Sequence, residues 1–96
     1  MWRLNDLRRS ERFLKAFKAL PRDIQGKVIK AFALFQENRE HPSLVIKKIK
    51  GMEGVWEGRI DKQYRFTFHY ETDKATGETI CVFRNVDNHE ECLKNP

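Results

Sequence analysis

Two arginines, Arg59 and Arg65, stand where two short strands would meet at one turn, in the run Gly54-Val55-Trp56-Glu57-Gly58-Arg59-Ile60-Asp61-Lys62-Gln63-Tyr64-Arg65-Phe66-Thr67-Phe68-His69-Tyr70. Strand alternation puts Tyr64, Phe66, Phe68 and Tyr70 on one side and Arg65, Thr67, His69 and Glu71 on the other. The aromatic row, with Trp56, belongs to a core. On the preceding strand Val55, Glu57, Arg59 and Asp61 oppose Trp56, Gly58 and Ile60, so the charged rows can lie together across a hairpin, with Arg59 and Arg65 as neighbours on an open face. Guanidinium groups are planar forks that suit phosphate. The bland reading is a solvated sheet face on which Arg65 pairs with Glu57 or Asp61, worth roughly 0 to 1 kcal/mol.

The elements that position this hairpin follow from the rest of the chain. Trp2-Arg3-Leu4 alternates as a short opening strand would, and Ser10 is an N-cap candidate ahead of Glu11. A first helix is expected to about Leu20, with Phe13, Leu14, Phe17 and Leu20 as its apolar stripe and Arg8, Arg9, Arg12, Lys15 and Lys18 crowding the polar side. Pro21 ends it and can open a second helix carrying Ile24, Val28, Ala31, Phe32 and Phe35 inward. That helix fades near Asn38, before His41-Pro42. A basic linking segment over 43–53 holds Lys47, Lys48 and Lys50, and Gly51 and Gly54 permit the turn into the hairpin. After the polar turn Thr72 to Gly77, the stretch Thr79 to Asp87 alternates as a further strand with Ile80, Val82 and Val86 on one side. Residues 88–96 predict a short tail with at most one helical turn, which brings His89, Glu90 and Glu91 to the last strand's end.

Length and composition bound the function. Ninety-six residues predict a single domain over 1–96 with one modest core. Net charge is +5 and pI about 9.4, with nineteen basic and fourteen acidic residues interspersed. That balance favours a polyanionic partner such as RNA or DNA, or an acidic protein. Cys81 and Cys92 lack metal-ligand spacing and are too few for a disulfide framework, which suits a reducing cytoplasm. His41, His69 and His89 are too scattered for a zinc site. No apolar run approaches a membrane span and no hydrophobic signal segment opens the chain, so a soluble, cytoplasmic protein without membrane attachment is expected.

Strand, two helices and three antiparallel strands, together with Leu20-Pro21, Lys50-Gly51, Gly54-Val55-Trp56, Arg59-Ile60, Tyr64-Arg65-Phe66 and Val86-Asp87-Asn88-His89, resemble the RelE/ParE toxin superfamily over nearly the whole length. The resemblance implies an α+β, RelE-like fold, with two N-terminal helices packed on a small, mainly antiparallel β-sheet. It also implies the toxin of a type II toxin–antitoxin system: a ribosome-dependent mRNA endonuclease that inhibits translation, needs no metal or other cofactor, and is silenced by a cognate antitoxin. Such toxin–antitoxin hetero-oligomers can bind operator DNA. The alternatives it leaves open are a ParE-like DNA gyrase inhibitor and a degenerate, non-catalytic antitoxin-binding member.

By this resemblance Arg65 stands at the position of the transition-state arginine and His89 at that of a C-terminal histidine or arginine. Arg59 corresponds to a basic strand residue that would touch phosphate or share in charge stabilisation, and Glu57 falls where some relatives carry lysine, which makes it either a carboxylate base or a mismatch. The chemistry is attack of a ribose 2′-hydroxyl on the adjacent phosphate, which needs a proton acceptor, charge stabilisation and a proton donor for the leaving oxygen. Imidazole as a side-chain type titrates near neutrality and suits the proton steps. Lys47, Lys48, Lys50, Arg12 and Lys15 would grip ribosomal RNA, or else form an ordinary solvated surface. The aromatic residue that many active relatives carry near the C-terminus is Leu93 here, or missing. His69 reads as solvent-facing or ion-paired, and His41 as a cap.

Overall fold

The structure is a computed structural model that describes residues 7–96. Leu7–Arg9 form strand β1, Glu11–Lys18 helix α1 and Arg22–Glu37 helix α2. A 3-10 turn at Pro42–Leu44 leads to β2 (Lys47–Lys48), β3 (Val55–Arg59), β4 (Tyr64–Thr72), β5 (Thr79–Asn88) and helix α3 (His89–Lys94). The strands build one sheet in the order β1-β5-β4-β3-β2, antiparallel except where β1 runs parallel to β5, Leu7 facing Cys81 and Arg9 facing Phe83. The expected strand at Trp2-Arg3-Leu4 lies outside the described residues.

Local chemistry sets the helix limits. Ser10 caps α1, its Oγ accepting from the Phe13 amide at 3.0 Å and donating to the Arg84 carbonyl at 3.3 Å, which ties the helix start to β5. The helix ends at Lys18, two residues before the expected limit, and Leu20 is buried beyond it. Pro21 occupies the N-cap of α2, whose Ile24, Val28, Ala31 and Phe35 are buried and whose Phe32 packs against the same core. Both helices press this apolar surface onto one face of the sheet, where Phe66, Phe68, Cys81, Phe83 and Val86 complete the cluster.

The last strand departs from simple alternation. Thr67 faces Asn85, but Phe68 faces Phe83, so Arg84 is an extra residue in β5. A bulge of this kind turns the following side chains over. Val86 therefore shares the core face with Cys81 and Phe83, while Ile80 and Val82 lie outside the core cluster, contrary to the expected grouping of Ile80, Val82 and Val86. The basic linker also differs from expectation in carrying strand β2, with Lys47 opposite Glu57 and Lys48 opposite Trp56.

Two glycines have structural causes. Gly54 sits at φ +77° in the turn leading into β3, a region that side chains with a Cβ rarely adopt. At Gly58 a Cβ would come within 2.2 Å of Phe66 Cζ and 2.9 Å of Ile46 Cδ1, so the absence of a side chain is what lets the Phe66 ring lie against β3. No helix among the described residues is long and apolar enough to cross a membrane.

Candidate nucleic-acid interface

The turn between β3 and β4 is built by Asp61. Its Oδ1 accepts from the amides of Gln63 at 2.8 Å and Tyr64 at 2.9 Å, and its Oδ2 from Lys27 Nζ at 3.0 Å. Burial would push this carboxyl up, but the Lys27 hydrogen bond and the two amides outweigh burial and hold it below its ordinary 3.8. A depressed carboxylate stabilises the fold above its unfolded value and loses that contribution as pH falls through the folded one. Asp61→Asn should therefore flatten the acid limb: on acidification below about pH 4 the urea midpoint of the unaltered chain drops further than that of the variant, as equilibrium unfolding at a series of pH values will read.

The same turn positions the arginine. Arg65 Nη1 donates to the main-chain oxygens of Asp61 at 2.5 Å and Tyr64 at 2.9 Å, and the side chain is only 9% exposed. His89 is brought alongside by its own backbone, whose amide donates to the Gln63 carbonyl at 2.5 Å as α3 begins under its Asn88 cap. Lys62, Gln63, Arg65, Asn88, His89 and Glu90 thus line one open depression of about 520 Å³. Residues 24 positions apart in the chain meet at one cleft because the turn and the helix start are hydrogen-bonded to each other.

Arg59 faces Arg65 across the strand pair, as the alternation implied, but its side of the turn borders a second depression, of about 290 Å³, with Lys27, Lys30 and Asp61. Glu57 is 6% exposed, opposite Thr67, with Lys47 Nζ 3.7 Å from its Oε1. Neither Arg59 nor Glu57 lines the cleft of Arg65 and His89. Lys48 Nζ lies 5.3 Å from the Trp56 ring centroid, a cation–π contact, and Arg12 donates to the Asn95 carbonyl. Lys15 and Lys50 are exposed. The five basic residues expected to grip RNA are thus spread over α1, β2 and the following turn, three of them engaged with the protein's own groups.

The sheet face expected to be open is partly covered. Helix α3 packs across β4 and β5 there, with Cys92 buried, and the following residues are pinned to the strands. Thr67 Oγ1 and Arg84 Nε donate to the Pro96 main-chain oxygen at 2.9 and 3.1 Å, and Asn85 Nδ2 donates to the Asn95 carbonyl at 2.9 Å. Arg84 Nη1 also meets His69 Nδ1 at 3.0 Å, and because arginine only donates, Nδ1 accepts and Nε2–H serves Glu71 at 2.6 Å. His69 is thus hydrogen-bonded between Arg84 and Glu71, and His41 is a cap, its Nδ1 accepting from the Ser43 amide at 3.2 Å. Thr67, Arg84 and Asn85 were not singled out from the sequence; the one signal was Arg84-Asn85 breaking an apolar run, which marks the bulge.

Burial pushes the thiols of Cys81 and Cys92 up to about 12, so both are packing groups rather than nucleophiles. Among the described residues no group of three His, Cys, Asp or Glu side chains is placed to hold a metal ion.

No protein-family model matches the chain, and no curated protein matches it. Solved structures do. The chain is similar to one in the RelB-RelE antitoxin-toxin complex from Methanococcus jannaschii, at 22% identity and a TM-score of 0.65 over 93% of this chain and 99% of that one. It is similar to YafQ from E. coli strain BL21(DE3), at 13% identity and a TM-score of 0.68 over 88% and 93% of the two chains. A YoeB/ParE toxin from Agrobacterium tumefaciens matches at 15% identity and a TM-score of 0.66, over 86% and 97%. The fold is therefore the RelE-like α+β fold that the sequence implied, extended by β2 and α3.

Proposed function

We propose that the chain is the toxin of a type II toxin–antitoxin pair and an endoribonuclease that cuts mRNA on the translating ribosome. The single observation that carries this reading is the cleft in which Arg65 and His89, distant in sequence, stand together beside Lys62. The fold shared with RelE, YafQ and YoeB/ParE toxin structures supports it, although a fold alone does not assign a reaction.

In this reading the ribose 2′-hydroxyl attacks the adjacent phosphorus, the P–O5′ bond breaks, and a 2′,3′-cyclic phosphate and a free 5′-hydroxyl result. Arg65, held by two main-chain oxygens, presents its remaining N–H groups to the phosphoryl oxygens as charge builds. Arg59 adds positive charge from across the strand pair. His89 gives its proton to the departing 5′-oxygen, and the 2′-hydroxyl proton passes to solvent water. Glu57, buried beside Lys47, is assigned no proton step. The basic surface of α1 and β2 meets ribosomal RNA, and an acidic antitoxin segment neutralises the +5 chain.

A non-catalytic antitoxin-binding protein is the second reading, favoured by the cover that α3 places over the sheet face. The deciding experiment is induced expression of the chain alone, with protein synthesis followed and new 5′ ends mapped on cellular mRNA. Cuts within translated codons are the expected result. Unhindered growth refutes the nuclease in favour of the binder, and arrest with intact messages and inhibited supercoiling refutes it in favour of a gyrase poison.

A further inference from the structure

Four side chains from three elements converge on two main-chain oxygens at the covered sheet face: Thr67 from β4, Arg84 and Asn85 from β5, and Arg12 from α1, all donating to Asn95 or Pro96. Two of the donors are guanidinium groups, and Thr67 and Asn85 are 0% and 7% exposed. Three of these side chains have reason to keep their place without the tail. Arg84 is also held by His69, which is held by Glu71, while Thr67 and Asn85 face each other in the β4–β5 register. The donors thus form a standing cradle for oxygen atoms.

We infer that this cradle is a second phosphate subsite, occupied here by the chain's own Asn95–Pro96 segment, which an incoming RNA strand displaces. The identity of the ligand rests on the nuclease reading; the cradle itself does not. Thr67 lies two residues beyond Arg65 on the same side of β4, about 7 Å along the strand. That is the reach from one phosphate to its neighbour on an extended single strand. A chain entering at the Arg65–His89 cleft and following β4 would place its next phosphate on Thr67, Arg84 and Asn85. A phosphodiester carries a negative charge, and charge-assisted bonds from Arg12 and Arg84 are about twice as strong as neutral ones, so a phosphate can compete for the donors that now serve Asn95 and Pro96. The tail then acts as a cover that competes with substrate.

The test titrates the full chain with a short 2′-O-methyl RNA, which cannot be cut by 2′-hydroxyl attack. Binding is read by fluorescence anisotropy and by the side-chain amide resonance of Asn85. We expect the Asn85 resonance to shift on binding, affinity to fall about tenfold in Arg84→Gln, and the salt dependence of Kd to lose about one unit of slope in that variant. Ending the chain at Lys94 should tighten binding about fivefold at low salt, since the competitor is gone. An oligonucleotide that binds while Asn85 stays silent overturns the inference, even if Arg84→Gln does not fold. So does a poly-glutamate peptide that shifts Asn85 when the RNA does not, which would make the cradle a protein-docking site. The two readings fail separately: an Asn85 shift in a chain that cuts no mRNA in cells refutes only the nuclease, and cutting without the shift refutes only the subsite.

Discussion

Arg65→Ala is expected to abolish growth inhibition and to lower codon-linked cleavage by roughly 10²- to 10³-fold, the scale on which removal of one preorganised charge-stabilising donor acts. The side chain does two things, and the variants must separate them. It bonds the β3–β4 turn through Asp61 O and Tyr64 O, and it lines the cleft with His89. Water can replace it at the turn, where Asp61 still holds the Gln63 and Tyr64 amides. The structural loss is therefore about 1 kcal/mol, or about 4–8 °C in the thermal midpoint. Arg65→Lys keeps the charge but loses the fork, and should also lose most activity while unfolding close to the unaltered chain. Full toxicity in Arg65→Ala would sink the assignment.

Phe83→Ala should cost about 3–5 kcal/mol in urea unfolding, a large part of the 5–15 kcal/mol that holds a domain of this kind together. The ring is 1% exposed, stacks on Phe32 with centroids 4.1 Å apart, and contacts Phe13, Phe35, Phe66 and Phe68 at 5.3 to 6.2 Å. No other aromatic side chain can swing into the space it leaves, because each is already fixed against a neighbour. Val82→Ala, one residue away but outside the core cluster, should cost only about 1 kcal/mol. The contrast tests the face assignment of β5 ahead of the bulge: equal costs at the two positions would mean that Phe83 does not face the core.

The helices were legible because apolar residues recur at helical spacing and Ser10 and Pro21 mark the starts. The central hairpin was legible because Tyr64 to Tyr70 alternates without interruption. The bulge was not, because the polar pair Arg84-Asn85 interrupts the apolar run without saying that a residue is inserted there. Strand β2 was hidden because two lysines have no apolar face to show. Helix α3 is only six residues long, too short for a periodic stripe, and what fastens the segment after it is main-chain oxygen, which every residue possesses. Arg65 and His89 could be named through family resemblance, and the structure brings them to one cleft. The same reasoning named Arg59, which faces Arg65 but borders the neighbouring depression, and Glu57, which is buried beside Lys47. Thr67, Arg84 and Asn85 have a common surroundings only once the strands are in register.

The parallel pairing of β1 with β5 joins the first described strand to the last. Contacts so far apart in the chain close late, and during synthesis at about 5–20 residues per second β1 must wait roughly 4 to 15 s for its neighbour to be made. His89 follows β5 directly. A growing chain therefore has no completed sheet, and the depression that Arg65 shares with His89 forms only once β5 and the start of α3 have been made.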